Sequence, residues 1–122
     1  MANELEITGI LKYKKDGVSA ELSLSTRVDV SGSNITETIQ NVTTASDPLN
    51  AGGIAGTKGY LLIENLDDTN TVNVRAIQSN AASALIKIQP NAFAGPFQLG
   101  VADAYVSTSA NTAKIRTLII EA

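Results

Sequence analysis

Asp67, Asp68 and Asn70 place three side-chain oxygen donors within four residues, the kind of cluster that a hard cation such as calcium takes. The same residue types also make turns, because their side chains hydrogen-bond nearby backbone and tolerate left-handed conformations. Turn chemistry is the simpler reading here. Asp16, Asp29, Asp47 and Asp103 lie in or beside other turn-forming stretches, and no spacing pairs two of them as an acid/base couple. A glycosidase needs two facing carboxylates, and Glu64 with Asp103 is the pairing to check. Gly52-Gly53-Ile54-Ala55-Gly56 invites a phosphate-loop reading. It lacks the Gly-Lys-Ser/Thr ending, and no helix-periodic segment follows it. It reads as a flexible loop. Cys and His are both absent, which removes thiol nucleophiles, thiolate metal sites and the commonest general base. Tyr60, Tyr105, Phe93 and Phe97 could line a sugar platform, or anchor a core or an interface. No catalytic residue, cofactor site or metal site is expected.

Composition narrows the partners. The net charge is −3 with both signs spread along the chain, so no basic block exists to track phosphates, and nucleic acid is not an expected partner. No segment approaches the ~20 apolar residues of a membrane-spanning helix, and no membrane partner is expected. The acidic start, Met1-Ala2-Asn3-Glu4, lacks a signal-peptide core. Synthesis in a cytoplasm is the expectation. The 122 residues suit one domain. Its core must be aliphatic, since only three Tyr and two Phe are available.

The elements that would position these residues are strands. Leu5, Ile7, Leu11 and Tyr13 share one face of a first strand, with Gly9 between them. Asp16-Gly17 is a hairpin turn signal. Val18, Ala20, Leu22, Leu24, Val28 and Val30 then alternate with polar residues, which predicts one face on a core. The length of that strand predicts a bend or bulge near Ser25 and Thr26. Residues 35–43 read as an edge strand. Residues 44–57 form the longest turn-forming segment, a loop for a partner to order. Residues 58–77 read as a central hairpin, bent at Asp67–Asn70. A strand at 84–89 ends at Pro90. Residues 89–97 are too rich in Pro and Gly for regular structure, with Phe93 and Phe97 pinning them to the core. Residues 98–101 offer a short strand, and 104–107 another. The last strand, 113–121, is apolar on both faces at Leu118-Ile119-Ile120, which suits a central strand or a subunit contact. No segment has helical periodicity. The whole predicts an all-β fold, a single antiparallel β-sandwich of jelly-roll or Greek-key type, with an up-and-down barrel as the alternative.

From Gly59 onward the chain resembles small structural proteins of tailed bacteriophages. The residues that carry this are Gly59-Tyr60-Leu61-Leu62-Ile63-Glu64-Asn65-Leu66-Asp67, then Thr69-Asn70 and Val72-Asn73-Val74. Ile86-Lys87-Ile88-Gln89-Pro90, Phe93, Pro96 and Ala104-Tyr105-Val106 continue it, and Leu5-Glu6-Ile7-Thr8 matches at the other end. Where that group has Gly-Glu after the proline, this chain has Asn91-Ala92, and Asn91 can hold the left-handed position of the glycine. The resemblance implies a virion component that decorates or cements a capsid. Its partners would be the major capsid protein and further copies of itself, forming a homo-oligomer in the virion. A small tail or fibre part that binds glycan is the alternative. Self-association is expected through Leu118, Ile120 and the long strand from Val18. Gly52, Gly53 and Ile54 are the expected loop contacts; the alternative tucks Ile54 under its own sheets.

Overall fold

The computed structural model describes residues 5–28, 34–50, 52, 58–78, 84–98 and 104–121. These residues form ten β-strands and no helix, and all the strand pairs are antiparallel. Two compact units are present, Met1–Ser31 and Gly32–Ala122.

The first unit is a hairpin of β1 (Leu5–Lys15) and β2 (Val18–Val28). Pairing runs from Leu5 opposite Val28 to Lys15 opposite Val18. Asp16 and Gly17 form the turn with φ of 51° and 80°, the left-handed pair that a two-residue hairpin loop requires. The register holds through Val28, so the bend expected near Ser25 and Thr26 is not there. Unbroken alternation gives the ladder no reason to slip. The apolar residues do share one face, but they are not among the buried core residues expected: Leu11, Tyr13, Val18, Leu22 and Leu24 are all exposed. The opposite face carries cross-strand ion pairs, Arg27 with Glu6 at 2.7 Å and Lys12 with Glu21 at 3.7 Å.

The second unit holds β3 (Ile35–Val42), β4 (Asp47–Pro48), β5 (Lys58–Asn65), β6 (Val72–Arg75), β7 (Ile86–Ile88), β8 (Phe93–Gln98), β9 (Tyr105–Thr108) and β10 (Ala113–Glu121). They make two four-stranded sheets, ordered β3-β10-β5-β8 and β4-β9-β6-β7. Val42, Leu61, Ile63, Ile115 and Ile119 of the first sheet join Val72, Val74, Ile88 and Val106 of the second in one aliphatic core. β3 is an edge strand, as expected. β10 lies between β3 and β5, the central place expected for it, with Ile115 and Ile119 in the core and Leu118 and Ile120 on the outer face of the sheet.

Four expectations are corrected. Residues 58–77 are not a hairpin, because β5 and β6 belong to different sheets and the bend between them is a crossing from one sheet to the other. Residues 93–98 are a strand despite their Gly and Pro. β8 is at a sheet edge, where a missing donor is tolerated, and the pairing with β5 shifts register between Leu61 and Ile63. Phe93 is not pinned to the core but 68 % exposed; the side chain of Phe97 lies outside the described residues. The segment 44–57 is not loop throughout. Asp47 and Pro48 pair with β9, Leu49 is buried in the core, and Gln40 clamps the backbone by accepting from Asn50 N–H and donating to the Pro48 carbonyl.

The crossing is organised by Asn65. Its side chain is buried, and its Nδ2 lies 2.8 Å from the Asn70 carbonyl, 3.1 Å from that of Ile88 and 3.3 Å from that of Gln89. Its Oδ1 accepts from Asp67 N–H at 3.0 Å. The amide therefore holds the end of β5, the crossing and the end of β7 together. Asn91, at φ 60°, takes the left-handed position expected of it and donates its N–H to the Asp67 carbonyl.

Two substitutions test this account. Asn65→Ala removes the side-chain donor to the Asn70 and Ile88 carbonyls and the acceptor of Asp67 N–H, and should lower unfolding free energy by about 2–4 kcal/mol in urea titration; a loss below about 0.5 kcal/mol would contradict the role assigned to it. Thr117 is buried at the centre of β10, and its Oγ1 has no hydrogen-bond partner. Thr117→Val should therefore stabilise by about 1 kcal/mol, and a destabilised variant would show that the hydroxyl is served after all.

Candidate functional site

Alternation sends every second residue of the first sheet away from the core, and on this sheet much of what it sends out is apolar. The registers align Ile39, Arg116, Glu64 and Phe93 across four strands, Glu37, Leu118 and Leu62 in the next row, and Ile35, Ile120 and Tyr60 in the third. Ile35 and Ile39 are 62 % and 59 % exposed. Leu62, Leu118, Ile120 and Tyr60 are half-buried by their neighbours. The patch measures roughly 15 Å on a side from strand spacing and rise. Arg116 Nη1 lies 3.3 Å from Glu64 Oε1, so these two charges neutralise each other, and Glu37 on the edge strand leaves the patch with one net negative charge.

This face holds the predicted contacts Leu118 and Ile120. Sequence reasoning missed Ile35, Ile39 and Leu62. In β3 the outward Ile35 and Ile39 alternate with inward Thr36, Thr38 and Gln40, the reverse of the usual polarity, so composition pointed the wrong way. Gly52 lies elsewhere, at φ 69°, where an added Cβ would come within 2.8 Å of Thr36 Cβ. Gly53 and Ile54 lie outside the described residues.

The outer face of the second sheet is polar. A shallow concavity of about 640 Å³ there is lined by Thr71, Asn73, Arg75, Ala84, Lys87, Gln89 and Ser109. Arg75 Nη1 donates to Ser107 Oγ at 2.6 Å. No aromatic ring is among those lining residues. Tyr60 and Phe93 are on the first sheet and Tyr105 on the second, so the aromatic residues do not assemble one sugar platform.

The carboxylates fall into structural roles. Asp67 accepts backbone N–H groups from Thr69 at 2.9 Å and from Asn70 at 2.5 Å. Thr69 Oγ1 donates to Asp68, and Asn70 donates to the Thr112 carbonyl. The oxygen cluster thus spends itself on the crossing, and no group of three His, Cys, Asp or Glu residues placed to hold a metal occurs among the described residues. Glu64 is paired with Arg116, and Asp29 and Asp103 lie outside the described residues. Asp16 is in the hairpin turn and Asp47 in β4. Among the described residues no helix is long and apolar enough to cross a membrane.

No protein-family model, curated protein or solved structure matches the chain.

The Asn70 N–H, then the Thr69 N–H and the Asn70 side chain, hold the Asp67 carboxyl below its ordinary value of 3.8, against an opposing effect of burial. A depressed folded pKa stabilises the fold fully above the unfolded value, and the effect is lost as pH falls through the folded one. Wild type should therefore melt above Asp67→Asn at neutral pH, with the gap closing as pH drops below 3.8. A gap that stays constant in thermal scans down through that range would contradict the assignment.

Proposed function

We propose that this chain is a virion structural protein that decorates the outside of an assembled bacteriophage head, with the outer face of the β3-β10-β5-β8 sheet seated on the shell. That face carries the reading: seven apolar side chains on three adjacent rows, Ile35, Ile39, Tyr60, Leu62, Phe93, Leu118 and Ile120, point away from the core between the two sheets. A monomer seldom leaves such a patch uncovered. Arg116 and Glu64, in its outermost row, add orientation more than affinity, as charge pairs at interfaces do.

The strand orders support a finer reading of the fold. Eight strands in two sheets, ordered β3-β10-β5-β8 and β4-β9-β6-β7, correspond to the double Greek key of a jelly-roll sandwich, an architecture of viral capsid and lectin domains. The resemblance of residues 59–74 to small phage structural proteins leads to the capsid rather than the lectin. Binding only to the assembled shell would stabilise it by mass action. The polar concavity at Asn73, Arg75 and Lys87 favours a second reading, a tail or fibre part that binds glycan, with the hydrogen bonds for a sugar but no ring in the lining to stack on it.

Heads assembled without the chain and then mixed with purified protein decide between them. Wild type should cosediment with heads, and Ile39→Glu and Leu118→Lys should each weaken loading by at least about tenfold without lowering the melting temperature. Loading indifferent to both changes, or protein bound to tails alone, would overturn the reading. Retention on a glycan array, abolished by Lys87→Ala, would replace it with the second.

A further inference from the structure

The β1–β2 hairpin gathers its apolar residues on one face, and the largest of them are exposed. Leu11, Tyr13, Val18, Leu22 and Leu24 are each between 53 % and 66 % exposed. A two-stranded hairpin is at best marginally stable alone in water, so a ladder of eleven pairs implies a surface packed on it.

We propose that the occupant is the same face of a second copy. The first argument is charge. The face carries one ionic side chain, Lys15 opposite Val18 at the turn end, and the ionic pairs, Glu6 with Arg27 and Lys12 with Glu21, are on the other side. Two such faces meet with charge only at the rim by the turn, where each Lys15 is set against the other copy's Val18.

The second argument is shape. Across the ladder a small residue stands beside a large one: Gly9 opposite Leu24, and Ala20 opposite Tyr13. A two-fold axis along the hairpin swaps the strands, so each copy's Leu24 enters the other's Gly9 notch and each Tyr13 lies over an Ala20. Isologous contacts need this self-complementarity, and large-over-small is how facing layers interdigitate. Gly9 has room for the leucine, with nothing of its own chain within 4 Å of an added Cβ.

The third argument is size. Eleven residues of strand make a face roughly 37 Å long and 10 Å wide, smaller than the ~800 Å² per partner of a standard interface. The pairing is therefore reversible in isolation, and it tightens where copies are held side by side. It does not depend on the shell-binding reading, and its test needs no heads.

Sedimentation velocity of the full chain from about 1 to 500 µM should show a monomer–dimer equilibrium. Leu24→Asp should abolish the dimer, while Ser23→Asp, one residue along on the polar face, should leave it intact. Gly9→Leu is the discriminating change. It fills the notch and should weaken the dimer at least about tenfold, whereas nonspecific apolar association would strengthen and edge-to-edge strand pairing would not respond. A wild type that stays monomeric over the whole range overturns the proposal. So do identical behaviour of the two Asp variants, a dimer sensitive to Leu118→Lys but not to Leu24→Asp, or a monomer whose melting temperature falls with Leu24→Asp, which would mean that the hairpin packs on its own chain. Melting temperatures unchanged in all hairpin variants keep a folding defect from posing as a lost dimer.

Discussion

The buried amide of Asn65 is the constraint on which the second unit depends. Inside a core, polar groups without partners cost more than their hydrogen bonds return in water. Asn65 meets that demand at one point for several segments at once, since three carbonyls share its Nδ2 and Asp67 N–H takes its Oδ1. The chain leaves the first sheet at Asn65 and enters the second at Val72 with the Asn70 carbonyl and the Asp67 N–H of the crossing both bonded to that side chain, which also reaches the end of β7 at Ile88 and Gln89. Asp67 and Asn91 then tie the crossing to the turn after β7. The residues that look most like an ion site in sequence are in fact the fastening of two sheets.

With the sheets fastened, β10 divides its apolar residues between two duties. Ile115 and Ile119 are buried in the core, and Leu118 and Ile120 help to form the outer patch. Its neighbours extend the same split, β5 with Leu61 and Ile63 inward and Leu62 outward. Exposed apolar residues scattered singly need no explanation; rows of them on adjacent strands do. The second sheet gives the contrast, since its outward residues, Asn73, Arg75 and Lys87, are polar, with Asn73 buried and Lys87 exposed.

The hairpin and the patch are alike in chemistry and different in origin. The patch is the back of a sheet whose front is satisfied. The hairpin has no front of its own, so its apolar face is the whole of its hydrophobic stabilisation. The shell-binding and self-pairing readings assign one surface to each partner.

The sequence by itself determined most of the strands and the turn at Asp16-Gly17, because alternation and Asp-Gly chemistry act over a few residues. It also determined the aliphatic character of the core and the central place of β10, since a strand apolar on both faces cannot sit at a wet edge without cost. Only the tertiary structure decided which sheet each strand joins. Residues 58–77 look like a hairpin locally, and nothing short of the Asn65 contacts to Ile88 and Gln89, more than twenty residues away, tells a hairpin from a crossing. The same holds for the faces. In β3 the isoleucines point outward and the threonines inward, because the register of β3 against β10 is settled by the whole sheet rather than by the polarity of its own residues. For the hairpin, periodicity marked the apolar face but placed a core beneath it, since a pattern of side chains records that a surface is to be buried and not what buries it.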